Sequence, residues 1–91
     1  MSFPIEHDPN KGRFSTIVEG QRCLLDYRLA GTTMTIVHTE VPSAVGGHGI
    51  AGELMEAAIQ AARANGWKIV PACSYAAAYM KRHTEYADLL A

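Results

Sequence analysis

Cysteine is scarce in this chain. The two that occur, Cys23 and Cys73, lie far apart and form no C-x-x-C pair, so neither a zinc site nor a disulfide framework is indicated, and no metal is expected. An excess of charge is missing too. Eight Lys plus Arg against nine Asp plus Glu leave a net charge of -1, which argues against nucleic acid or an anionic membrane as the main partner. No apolar run approaches the length of a spanning helix, and residues 1–10 lack the pattern of a secretory leader. Repeats, low-complexity tracts and linkers are absent as well. The expectation is one small domain over residues 1–91 of a cytoplasmic protein with reduced thiols. Apolar residues make up 48% of it, enough for a packed core of modest size.

The first half of the chain reads as strands. "RFSTIVEG" (13–20) alternates Phe14, Thr16 and Val18 against Ser15, Ile17 and Glu19, and closes on a turn candidate at Gly20-Gln21. "RCLLDYRL" (22–29) follows, "AGTT" supplies a second turn, and the β-branched run "TMTIVHTEV" (33–41) stops at Pro42. Short connections make these an antiparallel three-strand meander. The period then changes. Ile50, Leu54, Met55, Ala58, Ile59 and Ala62 form an apolar stripe, with Glu53, Glu56, Gln60 and Arg63 on another, which predicts an amphipathic helix over 50–64. Its alanine-rich face allows close approach to a sheet, and Asn65-Gly66 is a stop. "WKIVPAC" (67–73) reads as a buried strand, "YAAAYMKRH" (75–83) as a second helix, and 85–90 as a terminal helical turn. The order β-β-β-α-β-α defines an α/β (α+β) fold whose β-α-β portion is a right-handed parallel crossover.

"GHGIAG" (47–52) fits the G-x-G-x-x-G fingerprint of dinucleotide-binding folds letter by letter. Three features reject that reading. Residues 42–46 separate the loop from its strand, no acid stands where a ribose would need one, and there is only one β-α-β unit. No Gly-Lys-Ser/Thr follows, which excludes a P-loop. NAD(H), FAD and ATP are therefore not expected ligands. Glycines before a helix still turn several N–H groups toward one point, where the helix dipole adds positive charge. The plain alternative is a flexible turn that starts a helix, but a turn seldom needs Gly46, Gly47, Gly49 and Gly52 together.

Gly46-x-x-Gly49-x-Ala51, between a strand and an amphipathic helix, resembles the pyrophosphate-binding motif of the GNAT superfamily of acetyl-coenzyme A-dependent N-acetyltransferases. "PACSYAAAYMKRHTEYADLL" is similar to the C-terminal signature of a minimal, single-domain branch of that superfamily, and "HTEVP" fits the same branch. The resemblance spans about 13–90, and its C-terminal run is far more specific than the glycine loop. Two positions depart from it. Gly46 stands where Arg or Gln is usual, so the loop must rely on backbone donors, and Thr84 stands where Pro is usual.

The resemblance implies that acetyl-CoA lies where the strands 33–41 and 67–73 splay apart, with an amine acceptor nearby. It puts the cofactor against Thr39, Val41, Ser74 and the loop Gly46, Gly47, His48, Gly49, Ile50 and Ala51. Acetyl transfer requires a deprotonated amine, a stabilised oxyanion and a protonated leaving thiolate. Cys73, at a strand end before a helix, could accept the acetyl group transiently or be a small buried hydrophobe. Tyr75 and Tyr79, one helical turn apart, could protonate the leaving sulfur or simply cap the core. His38 or Glu40 could be the base. Strand alternation puts both on one face with Met34 and Ile36, where one could be the hydrogen-bonded partner of the other. Lys81, Arg82 and His83 either compensate a helix dipole or contact a coenzyme A phosphate, as His48 could. Cys23 and His7 carry no signal.

Three readings follow. The first is an N-acetyltransferase moving acetyl from acetyl-CoA to a primary amine by direct transfer. The second is an acyl-CoA-binding module with little turnover, since 91 residues leave little chain for acceptor-pocket walls. The third is a dimerising structural domain. Monomer and homodimer both remain compatible with the sequence.

Overall fold

The computed structural model describes residues 3–91. A five-stranded sheet in the order β1-β2-β3-β4-β5 comprises β1 (Glu6–Asp8), β2 (Arg13–Val18), β3 (Gln21–Ala30), β4 (Thr33–Glu40) and β5 (Lys68–Pro71). The first four strands pair antiparallel, and β5 lies parallel to β4. The expected three-strand meander thus carries a further short strand, β1, held by its pairing with β2. Helix α1 (Ile50–Asn65) makes the crossover from β4 to β5, and α2 (Ser74–Arg82) follows β5. Two 3-10 segments, Ser43–Val45 and Thr84–Leu89, flank the helices. No helix among the described residues is long and apolar enough to cross a membrane.

The strand ends follow local chemistry. The β2–β3 hairpin closes on Glu19 and Gly20, both at positive φ, between the paired Val18 and Gln21. That is a two-residue turn of the kind matching strand twist, one residue earlier than the Gly20-Gln21 turn expected. At the end of α1, Gly66 is left-handed and the Trp67 N–H reaches back to the Ala62 carbonyl at 2.8 Å. This is a Schellman stop, at the Asn65-Gly66 position anticipated.

One core holds the molecule together. Phe14, Cys23, Leu25, Tyr27, Met34, Ile36 and Ile69 point from one face of the sheet into α1 and α2. Ala58 and Ala62 of α1 are fully buried against that face; their small side chains bring the helix axis close. Each large side chain taken out of water here contributes about 1.5–3 kcal/mol. Arg13, Ile17, Asp26 and Val70 lie on the opposite face, where Ile17 and Val70 are exposed. Both helices therefore start at the same sheet edge, the carboxyl ends of the parallel pair β4 and β5.

Candidate active site

The parallel pairing of β4 and β5 runs from Thr33–Lys68 to Ile36–Pro71 and stops there. Pro71 has no N–H to continue a ladder. The next two N–H groups, Ala72 and Cys73, both turn onto the Ile36 carbonyl at 3.0 Å. β4 continues to Glu40 paired only with β3. Residues 37–40 consequently present one backbone edge to a gap between the diverging strands. The Thr39 hydroxyl and the Cys73 sulfur face each other across it at 3.5 Å.

Within β4 the side-chain alternation breaks. Ile36 lies opposite Tyr27, but His38 lies opposite Asp26, so Val37 is an extra residue, a β-bulge. Beyond it Thr39 pairs with Leu25, a core residue, and Glu40 pairs with Leu24. Thr39 therefore faces the helices. His38 and Glu40 share a face, but it is the opposite one from Met34 and Ile36. This corrects the placement that unbroken alternation predicts. The two side chains are bonded to each other, His38 Nε2 to Glu40 Oε1 at 3.2 Å, and are 54% and 58% exposed.

The loop after β4 turns through Ser43–Val45, with the Gly46 N–H on the Ser43 carbonyl at 3.2 Å. Gly47 and Gly49 take φ of 82° and 74°. A Cβ at either position would meet nothing within 4 Å. The requirement there is conformational and the space above the loop is open. Gly49 is the N-cap of α1, and no side chain caps this end. The first intrahelical bond runs from the Glu53 N–H to the Gly49 carbonyl. The N–H groups of Ile50, Ala51 and Gly52 thus lack intrahelical acceptors, at the positive end of a helix of 16 residues. Ile50 contributes only its backbone, because its side chain is buried in the core. His48 is exposed in the loop, and Val41 packs half-buried at its start.

Helix α2 begins differently. The Cys73 sulfur accepts the Ala76 N–H at 3.4 Å and so caps the helix. Ser74 is exposed beside it. Tyr75 is 37% exposed, and its hydroxyl lies 3.8 Å from where a Gly52 Cβ would stand. Burial raises the Tyr75 phenol above its ordinary value, with Arg82 pulling it back. Tyr79 is 9% exposed and its ring edge also faces Gly52, while its hydroxyl donates to Glu56 Oε2. The Tyr86 hydroxyl donates to Glu56 Oε1 at 2.7 Å. Burial, then the Glu56 carboxylate, pushes the Tyr79 phenol far up.

The structure thus brings together Thr39, Cys73, Ser74, Tyr75 and the start of α1. Lys81, Arg82 and His83 lie at the far end of α2 from Ser74, from where the Arg82 charge still lowers the Tyr75 phenol that burial raises. Lys81 and Arg82 are exposed in the last turn of α2, about 12 Å along its axis from Ser74. His83 stacks on Tyr79 at 4.1 Å and sits 3.5 Å from Glu85. Cys23 is buried, and His7 bonds Tyr27 at 2.6 Å. Among the described residues no group of three or more His, Cys, Asp or Glu is placed to hold a metal. Glu56 is marked by no motif in the sequence, and Tyr86 stands in the C-terminal run with no separate signal. Glu56 stands on the polar stripe of α1, where nothing in the sequence separates it from solvent-facing neighbours.

A parallel strand pair that diverges beside an uncapped helix start, in a mixed α/β fold, fits what the resemblance to the GNAT superfamily implies. Comparison with known proteins agrees. Residues 13–89 match the family of GCN5-related N-acetyl-transferases, and the chain belongs to that family. Protein NATD1 of Xenopus tropicalis is 35% identical over 85 residues, covering 90% of this chain and 78% of that protein. The solution structure of a GCN5-like candidate N-acetyltransferase from Staphylococcus aureus matches with a TM-score of 0.79 at 25% identity. That match covers 98% of this chain and 88% of the other.

Proposed function

We propose that residues 1–91 form one acetyltransferase domain that moves an acetyl group from acetyl-CoA to a primary amine by direct transfer, in the cytoplasm. The observation that carries this reading is the shared edge: the gap between β4 and β5 opens beside the uncapped N–H groups of α1. Those N–H groups and the backbone of Gly46, Gly47, His48 and Gly49 would hold a pyrophosphate, as oriented donors at a positive helix end. The free edge of residues 37–40 would hold an extended amide-bearing arm through backbone hydrogen bonds. When bound, acetyl-CoA supplies an activated acetyl thioester.

The chain's own groups do the rest. Thr39 and Cys73 line the gap at the reacting end. The His38–Glu40 pair takes the amine proton from the outer face of the sheet. A phenol on α2, Tyr75 or Tyr79, returns a proton to the departing sulfur. Holding the amine against the thioester supplies the proximity that a covalent Cys73 step would otherwise provide. Calorimetric titration tests the cofactor: CoA and acetyl-CoA bind and NADH does not, and tight NADH binding without CoA binding overturns the assignment. A screen of amine acceptors with free-thiol detection tests the transfer. One observation favours the alternative, an acyl-CoA-binding module with little turnover. His38 and Glu40 are more than half exposed, so this face of the sheet gives an acceptor no enclosing walls, and CoA binding without thiol release from any amine decides for it.

A further inference from the structure

The outer face of the sheet carries a row of charges through four strands. Asp8 of β1 lies opposite Arg13 of β2, Arg13 opposite Asp26 of β3, and Asp26 opposite His38 of β4. Opposite side chains on one face stand about 5 Å apart at Cβ, so the signs alternate up to the imidazole. The Arg13 guanidinium takes both Asp26 oxygens, through Nε at 2.7 Å and Nη2 at 3.1 Å. That pair is only 29% and 25% exposed, whereas His38 is 54% exposed. The bond from Asp26 raises the Arg13 guanidinium above its ordinary value, and Asp8 and Glu40 add to the rise. One fixed cation thus answers to three carboxylates. The charged groups nearest His38 are Glu40 on its own strand and the Arg13-bound Asp26 on β3. Arg28 of β3 and Glu6 of β1 stand one row away, opposite Thr35 and Ser15. β5 adds none, because its pairing with β4 ends at Ile36–Pro71.

We infer that Arg13 is a positioning residue: by occupying both Asp26 oxygens it keeps that carboxylate from holding His38 in its protonated form, and leaves the imidazole free to take the amine proton. This rests on the acetyltransferase reading given above. An ionised carboxylate only accepts hydrogen bonds. The nitrogen bonded to Glu40, Nε2, therefore carries the hydrogen, and Nδ1 carries the lone pair. In the step concerned, an N–H bond of the ammonium breaks and its electron pair stays on nitrogen for attack on the thioester. Nδ1 forms the new N–H bond, and the imidazolium later releases that proton to water. A second, unpaired carboxylate beside the ring would stabilise the imidazolium before any amine arrived, and a protonated ring accepts nothing.

The test breaks the same ion pair from its two ends, in the full chain. Arg13→Gln bares the Asp26 carboxylate, so the His38 ring resonances in NMR titrate at higher pH than in the wild type. Asp26→Asn bares the Arg13 cation, and they titrate at lower pH. On the acid limb of the pH profile kcat/KM falls about threefold in Arg13→Gln and rises about threefold in Asp26→Asn, the scale of a partly solvated charge pair. Arg13→Lys keeps the charge and stays near the wild-type profile. A merely structural pair would lower stability in both single variants without opposite displacements. If Arg13→Gln does not fold, the downward displacement in Asp26→Asn decides alone. Variants that move His38 in the same direction or not at all, or an acid limb that stays while His38 moves, overturn the inference. Opposite displacements in a protein that acetylates no amine sink the transferase reading and leave the charge row standing.

Discussion

Helices α1 and α2 start at the same edge of the sheet, but α1 starts on left-handed Gly49 with no side chain over its N–H groups, whereas the Cys73 sulfur covers the Ala76 N–H of α2. An uncapped start costs a helix stability in isolation. Here it also leaves a set of oriented donors facing open space, which is what a phosphate requires. The capped start does the opposite: it fixes the residue that borders the β4–β5 gap. Under the proposed function the difference separates a binding end from a lining end within one short edge, and it sorts substitutions expected to act through the ligand from those expected to act through the fold.

The largest effect is expected from Gly49→Val. Left-handed backbone costs an L-residue about 1–2 kcal/mol, and a β-branched side chain would also stand where the phosphate approaches. CoA affinity measured by calorimetry therefore falls at least tenfold, by about 1.4 kcal/mol or more. His48→Ala leaves the backbone donors in place and has a far smaller effect. Equal losses would mean that a side chain, not the uncapped helix start, holds the ligand.

Cys73→Ala probes the other start. Losing the cap lowers stability by about 0.5–1 kcal/mol in denaturant titration, the low end for caps because sulfur is a weak acceptor. Cys73→Ser recovers it. Both variants keep most activity if transfer is direct. Intact-protein mass spectrometry provides the break point: a Cys73-dependent acetyl adduct that passes to an amine at the turnover rate would make the thiol a carrier.

The bond between the two helices predicts an alkaline signature. Burial and Glu56 raise the folded-state Tyr79 phenol above its unfolded value near pH 10. Its contribution is complete below about pH 10 and is lost as pH rises through the folded value. Unfolding free energy measured by denaturant should decline above pH 10, and decline less in Tyr79→Phe. An identical slope in both would dissociate Tyr79 from the coupling. The smallest effect is Gly52→Ala. Its Cβ would sit 3.8 Å from the nearest atoms, an ordinary contact, so helix propensity dominates and stability rises by about 0.5 kcal/mol. A fall instead would show that the space beside Tyr75 must stay empty.

Much of this arrangement is legible in residues. The alternation of Phe14, Thr16 and Val18, the apolar stripe of α1 and the Asn65-Gly66 stop all come from local periodicity and turn chemistry, which a sequence displays directly. The backbone of the glycine loop is legible for the same reason, because Gly47 and Gly49 stand where φ is positive. What escaped depends on pairing across the chain. β1 is three residues long and exists only by its register with β2. Glu56 acquires its role from two tyrosines that reach it from α2 and beyond, and its own neighbours in sequence give no hint of them. The outward placement of His38 and Glu40 depends on Val37 being skipped by β3, which no property of valine announces.

That skipped residue makes facing at the end of β4 a question of parity. Unbroken alternation from Ile36 would turn His38 and Glu40 beneath the helices and Thr39 outward; skipping one residue reverses all three. Substituting Val37 leaves that assignment untouched. Deleting it removes the bulge but keeps Ile36 opposite Tyr27 and His38 opposite Asp26, so the facing persists, and NMR contacts between Thr39 and Cys73 should survive the deletion. The strand can thus keep or lose the residue at its kink and hold the same side chains toward the helices, because facing follows the partner each residue meets across the sheet.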